Sequence, residues 1–295
     1  MTDWQHGLEK LEGAYSDYTL RGYASDMNQF ALWCAGNGAK PLPAASETVV
    51  TYIDEEAARL RPSTLKRRLC GIGRIHRLLC HQDPTNHDDV KLALRRARRK
   101  TPDRPKQALG VTAAFRDRLV AVCGEDLIAL RDEVLLRVGF DTLCRRSELV
   151  ALRAEDLTEN TRGNLSILVR RAKNDQTGQG RTAPLSTRTT ECVRQWLERT
   201  GVDSGPLLRP VYGEHTVCRY LEPVIVSRVL KKLTARSEMP RETSNGVSGH
   251  SLRIGAAQQL TINGNGILQI MRAGGWRSVA VVARYIENVD LDLWS

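Results

Sequence analysis

The chain has 295 residues, 41% of them hydrophobic, enough apolar material for two packed domains and too much for a disordered chain. Its 44 lysines and arginines against 34 acids give a net charge of +10, which favours a polyanionic partner: DNA, RNA or an anionic membrane surface. No apolar run is long enough to span a bilayer and no charged-then-apolar leader opens the sequence, so a cytoplasmic, non-membrane protein is expected. The seven cysteines form no CxxC pair and are expected as small core residues in a reducing compartment. Cys80, His81 and His87 lack a second cysteine at finger spacing, and no GxxxxGK[ST] loop, HExxH or EF-hand is present. Neither a metal nor another cofactor is therefore expected.

The first hundred residues read as helices. Leu20, Tyr23, Met27, Phe30 and Cys34 recur at helical spacing up to Gly36 and Gly38. Ser46 is the expected cap of a second helix with Val49, Val50, Ile53, Ala57 and Leu60 inward. Pro62-Ser63 opens a third, with Leu65, Leu69, Ile72, Ile75 and Leu79 inward, and a fourth runs from about His87 to Lys100. The outer face of the third helix carries Lys66, Arg67, Arg68, Arg74 and Arg77. It is either a solvated basic face or a helix for the major groove, where arginine and lysine reach base edges and phosphates.

Between Lys91 and Lys106 stand Arg95, Arg96, Arg98, Arg99, Lys100 and Arg104, with Asp103 the one acid, and Pro102 and Pro105 break the helix. This predicts a basic linker over 102–106 that either tracks a phosphate backbone, with Arg95, Arg99 and Lys106 as contacts, or is merely a solvated hinge. It separates an N-terminal helical DNA-binding domain (1–101) from a second domain (107–295), and the two are expected to clasp a duplex. In the second domain, helices are expected over Thr112–Val122 and Leu127–Val138 and from about Arg145. A hairpin of Leu165–Arg171 and Gly180–Ser186 follows, around the polar turn NDQTGQG. Helices resume over Thr190–Glu198, Val224–Ala235, Ser251–Ile262, Ile267–Met271 and Val279–Ile286. The fold class is mainly α, a helical bundle plus a mostly helical domain with a small antiparallel sheet.

Three stretches of the second domain carry chemistry: DTLCRRSELVALRAEDL with Arg145 and Glu148, LVRRAKNDQTGQGRTAPLS with Lys173, and GHSLRIGAAQQL…ILQIMRAGGWRSVAVVARY with His250, Arg253, Trp276 and Tyr285. In this order the set resembles the tyrosine site-specific recombinase (phage integrase) family, over about the last 190 residues. The resemblance implies a site-specific DNA recombinase that cleaves through a covalent 3′-phosphotyrosyl link and exchanges strands through a Holliday junction. It implies a homotetramer on two DNA sites, each an inverted repeat; neither the target nor any accessory protein is named by the sequence. Arg145 and Arg253 would donate paired hydrogen bonds to the non-bridging phosphate oxygens. Tyr285 would be the nucleophile and Lys173 the general acid for the leaving 5′ oxygen. His250 and Trp276 would position the phosphate, and Glu148 would orient its neighbours.

A phenol with pKa about 10 is ionised roughly one part in a thousand at pH 7, so the guanidiniums or a base must offset about 4 kcal/mol. Arg146 competes with Arg145 for the first arginine position, but Arg145 keeps an R-x-S-E spacing to Glu148, and a charged Arg146 departs from the small or apolar residue common in the family. By the same resemblance the third N-terminal helix reads DNA, with Arg67 on a base and Lys66 and Arg74 on phosphates. Val224, Ser227, Arg228 and Lys231 would line the second domain's reading helix, and Leu291, Leu293 and Trp294 would form an apolar plug for a neighbouring protomer. A type IB topoisomerase and a DNA-binding protein that no longer cleaves are the alternatives. An RNA-binding module would need a base-stacking motif that the sequence lacks.

Overall fold

Residues 3–101, 106–170 and 180–289 are described by a computed structural model, in which the chain divides into two compact units, 1–106 and 107–295. The fold is mainly helical with small antiparallel sheets. In the first unit the helices are α1 (Asp3–Glu9), α2 (Asp17–Gly36), α3 (Ser46–Glu56), α4 (Pro62–Leu78) and α5 (Asp88–Lys100). Ser16 Oγ accepts the Thr19 N–H at 3.3 Å and so satisfies one of the donors that the start of α2 leaves open. Met27, Phe30 and Cys34 then face the core.

α3 corrects the expected cap. Its N-cap is Ala45, and Ser46 is already helical without a side-chain cap bond. Its apolar face also holds Tyr52, whose ring meets Phe30 and Trp33 edge-on at centroid distances of 5.1 and 5.2 Å. Such pairs add to the area they bury. Pro62 occupies the first turn of α4, where its missing N–H has no intrahelical partner to lose. Leu65, Leu69, Ile72 and Ile75 are buried, so the predicted inward face of α4 is the observed one. α1, which periodicity did not predict, seats Trp4 in the same core.

The second unit contains α6 (Ala113–Ala121), α7 (Leu127–Asp141), α8 (Arg146–Leu149), β1 (Leu157–Glu159), β2 (Leu165–Val169), β3 (Arg181–Pro184) and α9 (Thr187–Thr200). It continues with β4 (Val211–Tyr212), β5 (His215–Thr216), α10 (Val224–Arg236), α11 (Arg241–Gly246), α12 (Ser251–Ile262), α13 (Ile267–Gly274) and α14 (Val279–Ile286). The predicted hairpin is β2–β3, to which β1 adds an antiparallel edge, with Ile167 opposite both Leu157 and Ala183. Asp126 caps α7 by accepting the Ala129 N–H at 2.6 Å.

Buried on several sides through Val134, Leu135, Leu136 and Val138, α7 packs against α9 and α12. α12 also passes close to the segment before α6, where Val111 N–H donates to Ser251 O at 2.9 Å. A Cβ on Gly255 would stand 1.9 Å from the Val111 carbonyl oxygen, so only glycine permits that approach. These contacts bring the end of α7, the start of α12 and the α13–α14 turn to one place.

Candidate active site

Arg253 lies at the centre, 1% exposed on the first turns of α12. One guanidinium nitrogen donates to the Leu143 carbonyl, and the other donates to the Gly274 carbonyl at 2.8 Å. Its Cζ stands 4.0 Å from the Trp276 ring centroid, within cation–π range. Loss of hydration, then the charge of Arg145, lowers its pKa to about 10, so it remains protonated at neutral pH. The pocket thus holds a positive charge that the protein itself incompletely compensates.

The GGW sequence makes this geometry. Gly275 closes α13 in the left-handed region (φ 65°), and a Cβ on Gly274 would fall 2.0 Å from the Trp276 ring. The indole can therefore fold back over the helix end. Tyr285, on α14, meets that indole edge-on at 5.5 Å. The Tyr285 carbonyl accepts hydrogen bonds from the Gln107 and Gln258 side chains, each at 3.3 Å.

Arg145 precedes α8. Its backbone N–H donates to one Glu148 carboxylate oxygen at 2.9 Å, and its guanidinium donates to the other at 2.6 Å. Buried Glu148 thus fixes both the main chain and the side chain of Arg145. His250, immediately before α12, donates its backbone N–H to Ser248 Oγ at 3.2 Å. Although the residue is partly solvent-accessible, loss of hydration and the nearby Arg253, Arg146 and Arg145 hold its imidazole below the ordinary range. The structure thereby brings together Arg145, Glu148, His250, Arg253, Trp276 and Tyr285, while Lys173, Leu291, Leu293 and Trp294 lie outside the described residues.

Two arginines of the cluster were not among the expected site residues. Arg181, at the start of β3, donates to the Thr142 carbonyl and reaches Cys144 Sγ at 3.6 Å, while its Nη1 is buried without a hydrogen-bond partner. Burial pushes the Cys144 thiol up, away from reactivity. Arg146 stands exposed beside Gly249 and Ser227. Its charge was visible in the sequence; its placement depends on contacts with segments about a hundred residues away.

The DNA-contact candidates fall in both units. Lys66 is exposed on α4, but Arg67 donates to Asp26 at 2.5 Å, a carboxylate only 2% exposed. Arg68 donates to Tyr52 Oη at 2.6 Å and pairs with Glu56, and Arg77 pairs with Asp83. Several of the cations on this face are therefore already paired with carboxylates from other segments. Arg74 is partly buried, its Cζ 5.3 Å from the Tyr15 ring centroid, which places it against the protein and not at the tip of the basic face. Arg95 and Arg99 are exposed on α5, and Lys106 is exposed; linker residues 102–105 lie outside the described residues. On α10, Arg228 and Lys231 are exposed, whereas Ser227 is partly buried. Among the described residues no three His, Cys, Asp or Glu side chains converge as metal ligands, Cys80, His81 and His87 included.

A guanidinium pair, one member stacked on an indole, thus stands with an imidazole and a phenol alongside. Residues 111–291 match the phage integrase family, and the chain belongs to it: a family of tyrosine recombinases, enzymes that break and rejoin DNA. The integrase/recombinase XerD homolog of Selenomonas ruminantium is 30% identical, over 96% of this chain and 85% of that protein. Recombinase Cre of Escherichia phage P1 is 27% identical, over 94% and 86%.

The fold resembles the Tn1549 transposon integrase in complex with circular intermediate DNA (TM-score 0.67, 16% identity, 99% of this chain and 97% of that one). It also resembles a lambda integrase tetramer bound to a Holliday junction (0.67, 13% identity, 98% and 78%). Among the described residues no helix is long and apolar enough to cross a membrane.

Proposed function

We propose that the pocket around Arg253 binds the scissile phosphate of a specific double-stranded DNA site and that Tyr285 attacks it. The phosphorus–Tyr285 oxygen bond forms as the bond to the 5′ oxygen breaks; the phenol gives its proton to a neighbouring base and the departing oxygen gains one, supplied by Lys173. Arg145 and Arg253 keep unused N–H donors for the non-bridging oxygens, where negative charge grows during attack. His250, whose lowered pKa keeps it neutral near pH 7, and Trp276 position the phosphate. Because the phosphotyrosyl ester conserves the bond energy, a 5′ hydroxyl from a second duplex reverses the step without ATP.

Residues 1–101 serve as the core-binding domain, 102–106 as a basic linker and 107–295 as the catalytic domain. Lys66, Arg67, Arg74, Arg95, Arg99, Lys106, Ser227, Arg228 and Lys231 contact DNA. Four protomers act on two inverted-repeat sites through a Holliday junction, in the cytoplasm on nucleoid, phage or plasmid DNA.

The observation that carries this reading is the buried Arg253 guanidinium, held by two carbonyls and an indole whose edge meets Tyr285. The test begins with in vitro selection of bound DNA, followed by a nicked suicide substrate carrying the selected site. Wild type is expected to leave a denaturant-stable protein–DNA adduct, and Tyr285→Phe none, with both binding the site equally. Tight wild-type binding without an adduct would favour the inert binder. Adducts without exchange between two sites would favour a nicking–closing topoisomerase.

A further inference from the structure

Arg146 has no assigned role in the cleavage scheme, and its surroundings give it one. Where Glu148 takes Arg145, no carboxylate among the described residues takes the exposed guanidinium of Arg146. Its aliphatic stem passes over Gly249: a Cβ there would meet Arg146 Cδ at 2.8 Å and Ser227 Oγ at 3.0 Å. The side chain is therefore threaded between the residue before His250 and the first turns of α10, the helix carrying exposed Arg228 and Lys231. A cation at this position joins the Arg145–Arg253 pair to the basic face of α10.

From this placement we infer that Arg146 grips a DNA phosphate next to the scissile one, setting the register between the strand in the pocket and the groove that α10 reads. The inference rests on the cleavage reading of the pocket. An exposed guanidinium free of an acid is suited to the task, because it gives up no protein ion pair when it engages the backbone and it releases a condensed counterion. Its closeness to His250, whose pKa it helps to lower, puts it within electrostatic reach of the reacting phosphate. Gly249 supplies a second handle. Alanine there leaves Arg146 chemically intact but takes the space of its stem, and the Gly249 backbone is not in the left-handed region, so the substitution is not strained on that account.

The experiment measures full-length protein on a duplex carrying one selected half-site, by gel shift across a salt series. Arg146→Gln is expected to bind about tenfold more weakly near physiological salt, the order of one charged hydrogen bond. The slope of log affinity against log salt should fall by about 0.9, the signature of one phosphate no longer neutralised. Gly249→Ala should shift both quantities in the same direction. Replacing backbone phosphates one at a time with uncharged methylphosphonates should reveal a single position, beside the scissile phosphate, at which wild type and Arg146→Gln bind alike. The loss should fall several-fold more on affinity than on single-turnover cleavage at saturating protein.

An unchanged affinity and salt slope would overturn the inference, as would a defect confined to the cleavage step or the absence of any equalising methylphosphonate. Wild-type adduct formation on the same DNA is scored separately, so failure of the cleavage reading and failure of this contact give different results.

Discussion

Replacing Arg253 with methionine tests whether the centre of the pocket is held for chemistry or for stability. Lowering the guanidinium from its ordinary value to about 10 means that its charged form is disfavoured on folding by roughly 3 kcal/mol. Methionine, similar in length and apolar, removes that charge. Against this relief stand the carbonyls of Leu143 and Gly274, each left without its donor at about 1–2 kcal/mol, and the contact with Trp276, worth about 2 kcal/mol when desolvated. The costs exceed the relief by about 1–3 kcal/mol, so Arg253→Met should lose no more than about 3 kcal/mol in a urea titration of the full chain. Cleavage should respond very differently, because a preorganised donor to the transition state is worth about 10²–10³ in rate. Suicide-substrate trapping under single-turnover conditions reads that loss directly. A stability loss beyond about 4 kcal/mol, or cleavage within tenfold of wild type, would refute the reasoning, since it would make Arg253 a structural brace and not an uncompensated charge awaiting an anion.

Two further outcomes concern the first unit. His76 is fully buried; its Nε2 accepts the Ala44 N–H at 2.9 Å, so Nδ1 carries the proton toward Ile72 O at 2.8 Å. Burial lowers its pKa, so below about pH 6.5 the unfolded chain binds a proton that the folded chain refuses, and stability falls as pH falls, by at most about 1.4 kcal/mol per unit. Hydrogen exchange at the Ile72–Ile75 amides of the full chain should show this slope and His76→Gln should flatten it; parallel profiles would exclude His76 as the source. Arg67→Ala should lower the stability of the first unit by about 1–2 kcal/mol, a figure discounted because Arg67 is itself largely exposed, by leaving the buried Asp26 carboxylate alone. Adding Asp26→Asn should restore stability without restoring DNA affinity; recovery of both would remove Arg67 from the DNA contacts.

The long amphipathic helices were legible because their apolar positions repeat with the period of the helix, as Leu65, Leu69, Ile72 and Ile75 do on α4. α11 has the sequence RETSNG and buries none of it, and the strands of the β4–β5 hairpin are two residues long. Neither leaves a period to detect. The site was legible at the level of motif because an arginine–carboxylate pair at i, i+3 and a His-x-x-Arg step are local, and the structure indeed closes Arg145 on Glu148. Long-range choices left no local trace: Asp26 is 41 positions from Arg67, and Thr142 is 39 positions from Arg181. A basic helix face can be counted from its letters, but which of its cations are already taken depends on what the fold brings opposite.

The two carbonyls that hold Arg253 lie 110 and 21 residues away in sequence, one after α7 and the other at the end of α13. The second shares its turn with Trp276, against which Tyr285 rests. Local opening of that C-terminal region would release an anchor of the guanidinium, its indole platform and the phenol in a single event. For a member of a family that breaks and rejoins DNA this works as a fail-safe: a partly frayed molecule is left blunt, and strand breakage is confined to molecules in which all three distant segments are home.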